Sequence, residues 1–206
     1  MPQPSPVPLR LVALISGGGT TLQNLIDRVA AGTLPAVIAG VVSSRPEVLG
    51  VERARRAGLP VEVVTHGPDF ASRVWTAVRR FTPDLVVLAG WLHLLPIPED
   101  YRNRVLNIHP SLLPAFGGRG MYGRRVHEAV LAYGVKVTGC TVHFADDSYD
   151  TGPILVQKCV PVEEGDDADT LAARVFRAEC EAYPEAIGLI ASGRVTVQGR
   201  RVIISD

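Results

Sequence analysis

Stretches of apolar, β-branched residues recur along this chain with helix-period segments between them, and that alternation constrains the fold more than any other feature. Strands are predicted at residues 9–15, 36–42, 61–64, 85–89 and 105–108. The first intervening helix is predicted to start at Thr20 or Thr21, good N-caps, to bury Leu22, Leu25, Ile26 and Val29, and to stop at Gly32. A second helix covers about residues 48–57, and a third follows Pro68-Asp69 with Phe70, Val74, Trp75 and Val78 on one face. Such βαβ repetition predicts an α/β, doubly wound, mostly parallel sheet. From about residue 137 the pattern changes, because 137–144 and 154–160 read as two strands joined by an acidic loop, an antiparallel edge. A long helix capped by Asp169 and kinked or interrupted near Pro184 then runs to Gly193. Val195–Val197 and Val202–Ile204 flank Gln198-Gly199-Arg200 as a C-terminal hairpin.

One domain of this kind accounts for the 206 residues, preceded by a proline-rich tail over residues 1–8. Lys plus Arg equals Asp plus Glu at 21 each, so no overall field draws the protein to nucleic acid or membrane. Residues 1–8 lack the charged start and apolar core of a signal peptide, and no apolar run approaches about 18 residues. The three cysteines, Cys140, Cys159 and Cys180, form no C-x-x-C pair and read as reduced thiols. A cytoplasmic protein is expected.

Three motifs carry chemistry. Ser16-Gly17-Gly18-Gly19-Thr20-Thr21 lies between the first strand and first helix, where main-chain N–H groups and the helix dipole favour an anion. No Gly-Lys-Ser/Thr follows, Leu22 stands at the third glycine of a dinucleotide fingerprint, and the second strand ends in Ser43-Ser44-Arg45 without an acid. The anion inferred is monophosphate-sized; the alternative is a turn needing glycine for backbone geometry alone. Asn107-Ile108-His109-Pro110 lies at the carboxyl end of the fifth strand, with Asn107 and His109 pointing the same way. An amide donor beside an imidazole suits oxyanion stabilisation with proton transfer. In the loop His143 to Pro153, Asp146 and Asp147 also read as a solvated turn, whereas Asp150, set by Gly152-Pro153, is placed to orient and charge-stabilise His109 and raise its pKa. His109, His143 and Asp150 are conceivable ligands for zinc or iron, but no short-spaced ligand pair accompanies them and no metal is expected. His66 and His127 are expected at the surface.

Leu14-Ile15-Ser16-Gly17-Gly18-Gly19-Thr20-Thr21-Leu22-Gln23, Val87-Leu88-Ala89-Gly90-Trp91, residues 106–114 and Thr138-Gly139-Cys140-Thr141-Val142-His143-Phe144 leading to Asp150 form a specific set. By these the chain resembles the phosphoribosylglycinamide formyltransferase family, from about Leu11 to Val197. The resemblance implies the Rossmann-like formyltransferase fold, with a phosphate-binding half (about 9–103) and a folate and catalytic half (about 104–206). It implies transfer of a formyl group from 10-formyltetrahydrofolate, the co-substrate, to the amine of glycinamide ribonucleotide in purine synthesis. Asn107, His109 and Asp150 match the family's catalytic set. Gly18, Gly19, Thr20, Thr21 and Leu22 match its phosphate loop, and Glu179 its ribose contact. Arg73, Trp91, Leu92, His93, Leu94, Leu95, His143, Ala145 and Asp146 fall in its folate site.

The chain departs from the family where asparagines are common, at Gly18 and Thr21, and where arginine is frequent, at His93. The segment 117–125, rich in glycine and arginine, is longer than the usual linker and reads as a flap. Two related enzymes share the core pattern. A formyltetrahydrofolate deformylase carries an extra N-terminal domain, for which residues 1–8 are not expected to suffice. A methionyl-tRNA formyltransferase carries an RNA-binding domain not expected after Asp206 or at zero net charge. A non-catalytic sugar-phosphate sensor would need the glycine loop and not His109 or Asp150. A monomer or homodimer is compatible with the sequence.

Overall fold

A computed structural model describes residues 8–205; the tail expected at residues 1–8 therefore lies, Pro8 apart, outside the described residues. The chain divides into two compact units. The first runs to Gly90 and adds Ile187–Thr196 and the residues from Ile203; the second comprises Trp91–Ala186 and Val197–Val202.

In the first unit β1 (Leu9–Ile15), β2 (Ala36–Ser43), β3 (Val61–Val63) and β4 (Leu85–Leu88) alternate with α1 (Thr20–Ala30), α2 (Leu49–Arg56) and α3 (Phe70–Arg80). Strand β1 pairs in parallel with β2 and β4, and β2 with β3. Leu11, Val12, Ala13, Leu14 and Ile15 are fully buried, the two-sided burial of a central parallel strand. The chain winds outward from β1 through β2 to β3 and returns on β1's other side as β4. The carboxyl ends of β1 and β4 therefore mark the topological switch point, where open α/β sheets take their ligands.

In the second unit β5 (Val105–His109) pairs antiparallel with β6 (Val137–Phe144), and β6 antiparallel with β7 (Ile154–Pro161). Helix α4 (Arg124–Tyr133) precedes β6. The seven strands follow the order β3-β2-β1-β4-β5-β6-β7, mostly parallel with the expected antiparallel edge. The last two strands, β8 (Val195–Gln198) and β9 (Arg201–Ile204), form the separate C-terminal hairpin.

Three local expectations need correction. The N-cap of α1 is Gly19, in the left-handed region at φ 68°, and no side chain caps the helix; Thr20 is already helical. Helix α5 (Ala168–Ala191) is capped by Asp167, whose carboxylate accepts from the N–H groups of Asp169 and Thr170; Asp169 lies in the first turn. The same helix runs through Pro184 as one element. Its neighbours Ala182, Tyr183 and Ala186 are fully buried, so packing offsets the hydrogen bond that proline cannot make.

Candidate active site

The glycine loop belongs to the first unit. A Cβ at Gly19 would lie 2.5 Å from the Cα of Gly50, and one at Gly50 would lie 2.9 Å from the Gly17 carbonyl oxygen. Glycine at 19 and 50 is thus demanded by the contact between the start of α1 and the start of α2. A Cβ at Gly17 or Gly18 would meet nothing within 4 Å, so packing does not explain glycine there. No acid stands in the first turn of α1 and no side chain caps it, which leaves its positive end for an anion. Arg53 of α2, which the sequence did not single out, donates to the Gly18 carbonyl at 3.0 Å and to Gln23 at 3.3 Å, fixing a guanidinium beside the loop. Arg73 is exposed in the same unit, donating to the carbonyls of Pro68 (3.1 Å) and Thr65 (2.8 Å).

In the second unit β5 and β6 pair so that Asn107 lies opposite His143, and His109 opposite Thr141. The register brings Asn107, His109 and His143 together and Asp150 joins them, the two histidines buried and Asn107 and Asp150 half-buried. The His143 Nδ1 donates to the Phe144 carbonyl at 3.0 Å, so Nε2 accepts, at 3.1 Å, one hydrogen of the Asn107 amide. The other Asn107 hydrogen points to Asp150 Oδ1 over a longer 3.4 Å. His109 is 3% exposed; its Nε2 donates to the Phe116 carbonyl at 2.8 Å and its Nδ1 lies 3.5 Å from Asp150 Oδ2. The Gly118 N–H donates to that same Oδ2 at 2.9 Å. The glycine-rich segment after β5 thus holds both His109 and Asp150 by its main chain, a role invisible in the sequence because carbonyls and N–H groups leave no side-chain signature. His143, assigned by resemblance to the folate side, also holds the Asn107 amide by accepting its hydrogen; antiparallel pairing of β5 with β6 was the signal that could have revealed that contact.

The electrostatics correct one expectation. Burial pushes the His109 pKa below the ordinary histidine value, more strongly than the Asp150 carboxylate and the Phe116 carbonyl raise it, and His143 lowers it further. The sequence reading weighed only the carboxylate. Burial also opposes ionisation of Asp150, yet His143, His109 and the Gly118 N–H together hold its pKa below the usual carboxylate range.

His127, expected at the surface, is 4% exposed on α4, because Val126, His127 and Val130 form that helix's buried face. Burial, then His109, lowers its pKa. His66 is exposed as expected. Glu179 on α5 is half-buried, and burial pushes its carboxyl up to about 7. It contributes, after burial itself, to raising the Cys140 thiol to about 12, so that buried thiol is unreactive. Of the remaining candidates, Trp91 and Leu95 are buried, His93 packs edge-on to Trp91, and Leu92 and Leu94 face solvent. Ala145 is half-buried, and Asp146 closes its own turn by accepting from the Ser148 N–H and the Thr151 hydroxyl. Among the described residues no group of three or more His, Cys, Asp or Glu is arranged to hold a metal ion.

The formyl transferase family model matches residues 9–187: the chain belongs to that family. The phosphoribosylglycinamide formyltransferase of Mycobacterium tuberculosis (strain CDC 1551 / Oshkosh) is 42% identical over 204 residues, covering 96% of this chain and 92% of that protein. The trifunctional purine biosynthetic protein adenosine-3 of Gallus gallus is 42% identical across 92% of this chain, which spans only 19% of its length. Among solved structures, glycinamide ribonucleotide transformylase 1 from Symbiobacterium toebii superposes with a TM-score of 0.89 at 42% identity, covering 96% of this chain and 94% of that one.

Proposed function

We propose that the chain transfers the formyl group of 10-formyltetrahydrofolate to the amine of N1-(5-phosphoribosyl)glycinamide, a step of purine biosynthesis. The observation that carries this reading is the Asn107–His143–Asp150–His109 cluster in a chain collinear with the mycobacterial enzyme. Residues 9–103 would take the phosphate on the loop Gly18 to Leu22, and residues 104–206 the folate and the chemistry, as one formyltransferase domain. Glu179 would hold the ribose. Trp91, Leu92, His93, Leu94, Leu95, His143, Ala145 and Asp146, with Arg73, would serve the folate. No helix among the described residues is long and apolar enough to cross a membrane. We assign the reaction to the cytoplasm, with small-molecule partners only and a monomer or homodimer as the working unit.

In this mechanism the glycinamide nitrogen attacks the formyl carbon, giving an oxyanion and a positively charged nitrogen. Asn107 donates to the oxyanion with the hydrogen that now spans 3.4 Å to Asp150, because its other hydrogen is committed to His143. His109, held neutral by burial, accepts the proton that the attacking nitrogen must lose, and Asp150 stabilises the imidazolium so formed. The C–N bond to the folate then breaks as the folate nitrogen takes that proton from the His109 imidazolium, which returns to its neutral form, and the oxyanion returns to a carbonyl. Neither a metal nor a covalent enzyme intermediate is required.

The deciding experiment follows loss of the formyl group from 10-formyltetrahydrofolate with and without glycinamide ribonucleotide. Loss that depends on the ribonucleotide, with formylated ribonucleotide as product, is expected; equal loss without it would replace this reading with hydrolysis.

A further inference from the structure

Leu92 and Leu94 are 45% and 41% exposed, although the segment that carries them is anchored by buried neighbours, Trp91, Leu95 and Ile97. The segment lies outside any regular helix or strand, so no ladder of main-chain bonds keeps those two leucines in water. A single loop pins the segment at two main-chain points. The Leu94 N–H donates to the Tyr149 hydroxyl oxygen at 3.2 Å, and the Ile97 N–H to Asp147 Oδ1 at 2.9 Å. Asp147 is itself gripped by Arg102 at 3.3 Å, and Arg102 by Glu99 at 2.8 Å. Asp146 ties the far side of the loop to Ser148 and Thr151, so the pinning frame is internally braced.

We propose that Tyr149 is a positioning residue of the folate site: its hydroxyl fixes segment 92–95 in an open form, with Leu92 and Leu94 presented as an apolar platform for a flat heterocycle. This rests on the reading of that segment as folate-binding. Tyr149 precedes Asp150, so the backbone that aims the cluster carboxylate also carries the pin, and the platform is set relative to the reacting groups before the folate arrives. Preorganisation of this kind lowers the ordering cost of binding. Loss of the pin weakens folate binding and leaves the contacts of Asn107, His109 and Asp150 intact.

The test is Tyr149→Phe, which deletes the hydroxyl and keeps the ring. The KM and the equilibrium dissociation constant for 10-formyltetrahydrofolate should each rise about three- to tenfold, the range of one hydrogen bond. The KM for the ribonucleotide and kcat should stay within about twofold, since the lost interaction is common to ground and transition states. Hydrogen exchange at the Leu94 amide of the free protein should quicken, with the amides of β5 unchanged. An unchanged folate dissociation constant, an unchanged Leu94 exchange rate, or a fall in kcat alone would overturn the proposal. If the wild type binds the folate yet transfers nothing to the ribonucleotide, the transfer reading fails while the dissociation constants still decide the role of Tyr149; a wild type that does not bind the folate refutes the platform itself.

Discussion

His109 illustrates how opposing influences on one side chain are decided by magnitude. A carboxylate 3.5 Å away favours the imidazolium, but near-complete burial disfavours it more, and the pKa falls below the ordinary value. NMR titration should therefore find His109 below about 6.5, and in Asp150→Asn lower still, because the raising influence is gone. A His109 titrating above that value in the wild type would show the carboxylate to dominate. The same variant should turn over about 10²- to 10⁴-fold more slowly while binding both substrates almost normally, the mark of an interaction made mainly in the transition state. Asn107→Asp should fold but lose about 10²- to 10³-fold in turnover, since a carboxylate would replace the donor and stand beside Asp150. Near wild-type turnover would remove Asn107 from the mechanism. The proposed catalytic trio, Asn107, His109 and Asp150, stands out in the sequence because its members are side chains on a predicted strand end and a sharp loop. Phe116 and Gly118 were not, because they act through atoms that every residue has.

At the scale of elements, β1 and the strands of the antiparallel edge were readable to within a residue or so, since apolar β-branched runs bounded by turn residues specify them. The start of α1 was not: Thr20 has the chemistry of an N-cap, but the close approach of Gly19 to Gly50 puts the left-handed residue one position earlier. Pro184 does not interrupt α5, its local cost being outweighed by a buried face of the helix that the sequence shows only in aggregate. The uncapped start of α1 should make Thr20→Glu selective: the exposed new carboxylate would occupy the helix's positive end and raise the KM for the phosphorylated substrate by about tenfold or more, with little change for the folate. Equal effects on both substrates would put the phosphate elsewhere.

Stability of the whole molecule against pH reflects groups whose ionisation differs between folded and unfolded chains. Glu179, raised from 4.5 to about 7, binds its proton more tightly when folded, so its contribution is fully present below about 4.5 and is lost as pH rises through about 7. His109, lowered by burial, acts in the other direction, costing stability as pH falls below its unfolded value of 6.5. Glu179→Gln should match the wild type near pH 4 and exceed it by on the order of 1–3 kcal/mol at pH 8, read from denaturant midpoints. A constant difference across that range would mean that Glu179 does not titrate as described. The contact of Gly19 with Gly50 has a further reach. A side chain at 19 would run into Gly50, and one at 50 into Ile15 and the Gly17 carbonyl, so mutational drift in the glycine loop is asymmetric. Positions 17 and 18 are open to exploration by a diversified library, whereas 19 and 50 are each closed to a side chain by the packing of the loop. A lineage can therefore retune what the loop grips without ever moving where the loop sits.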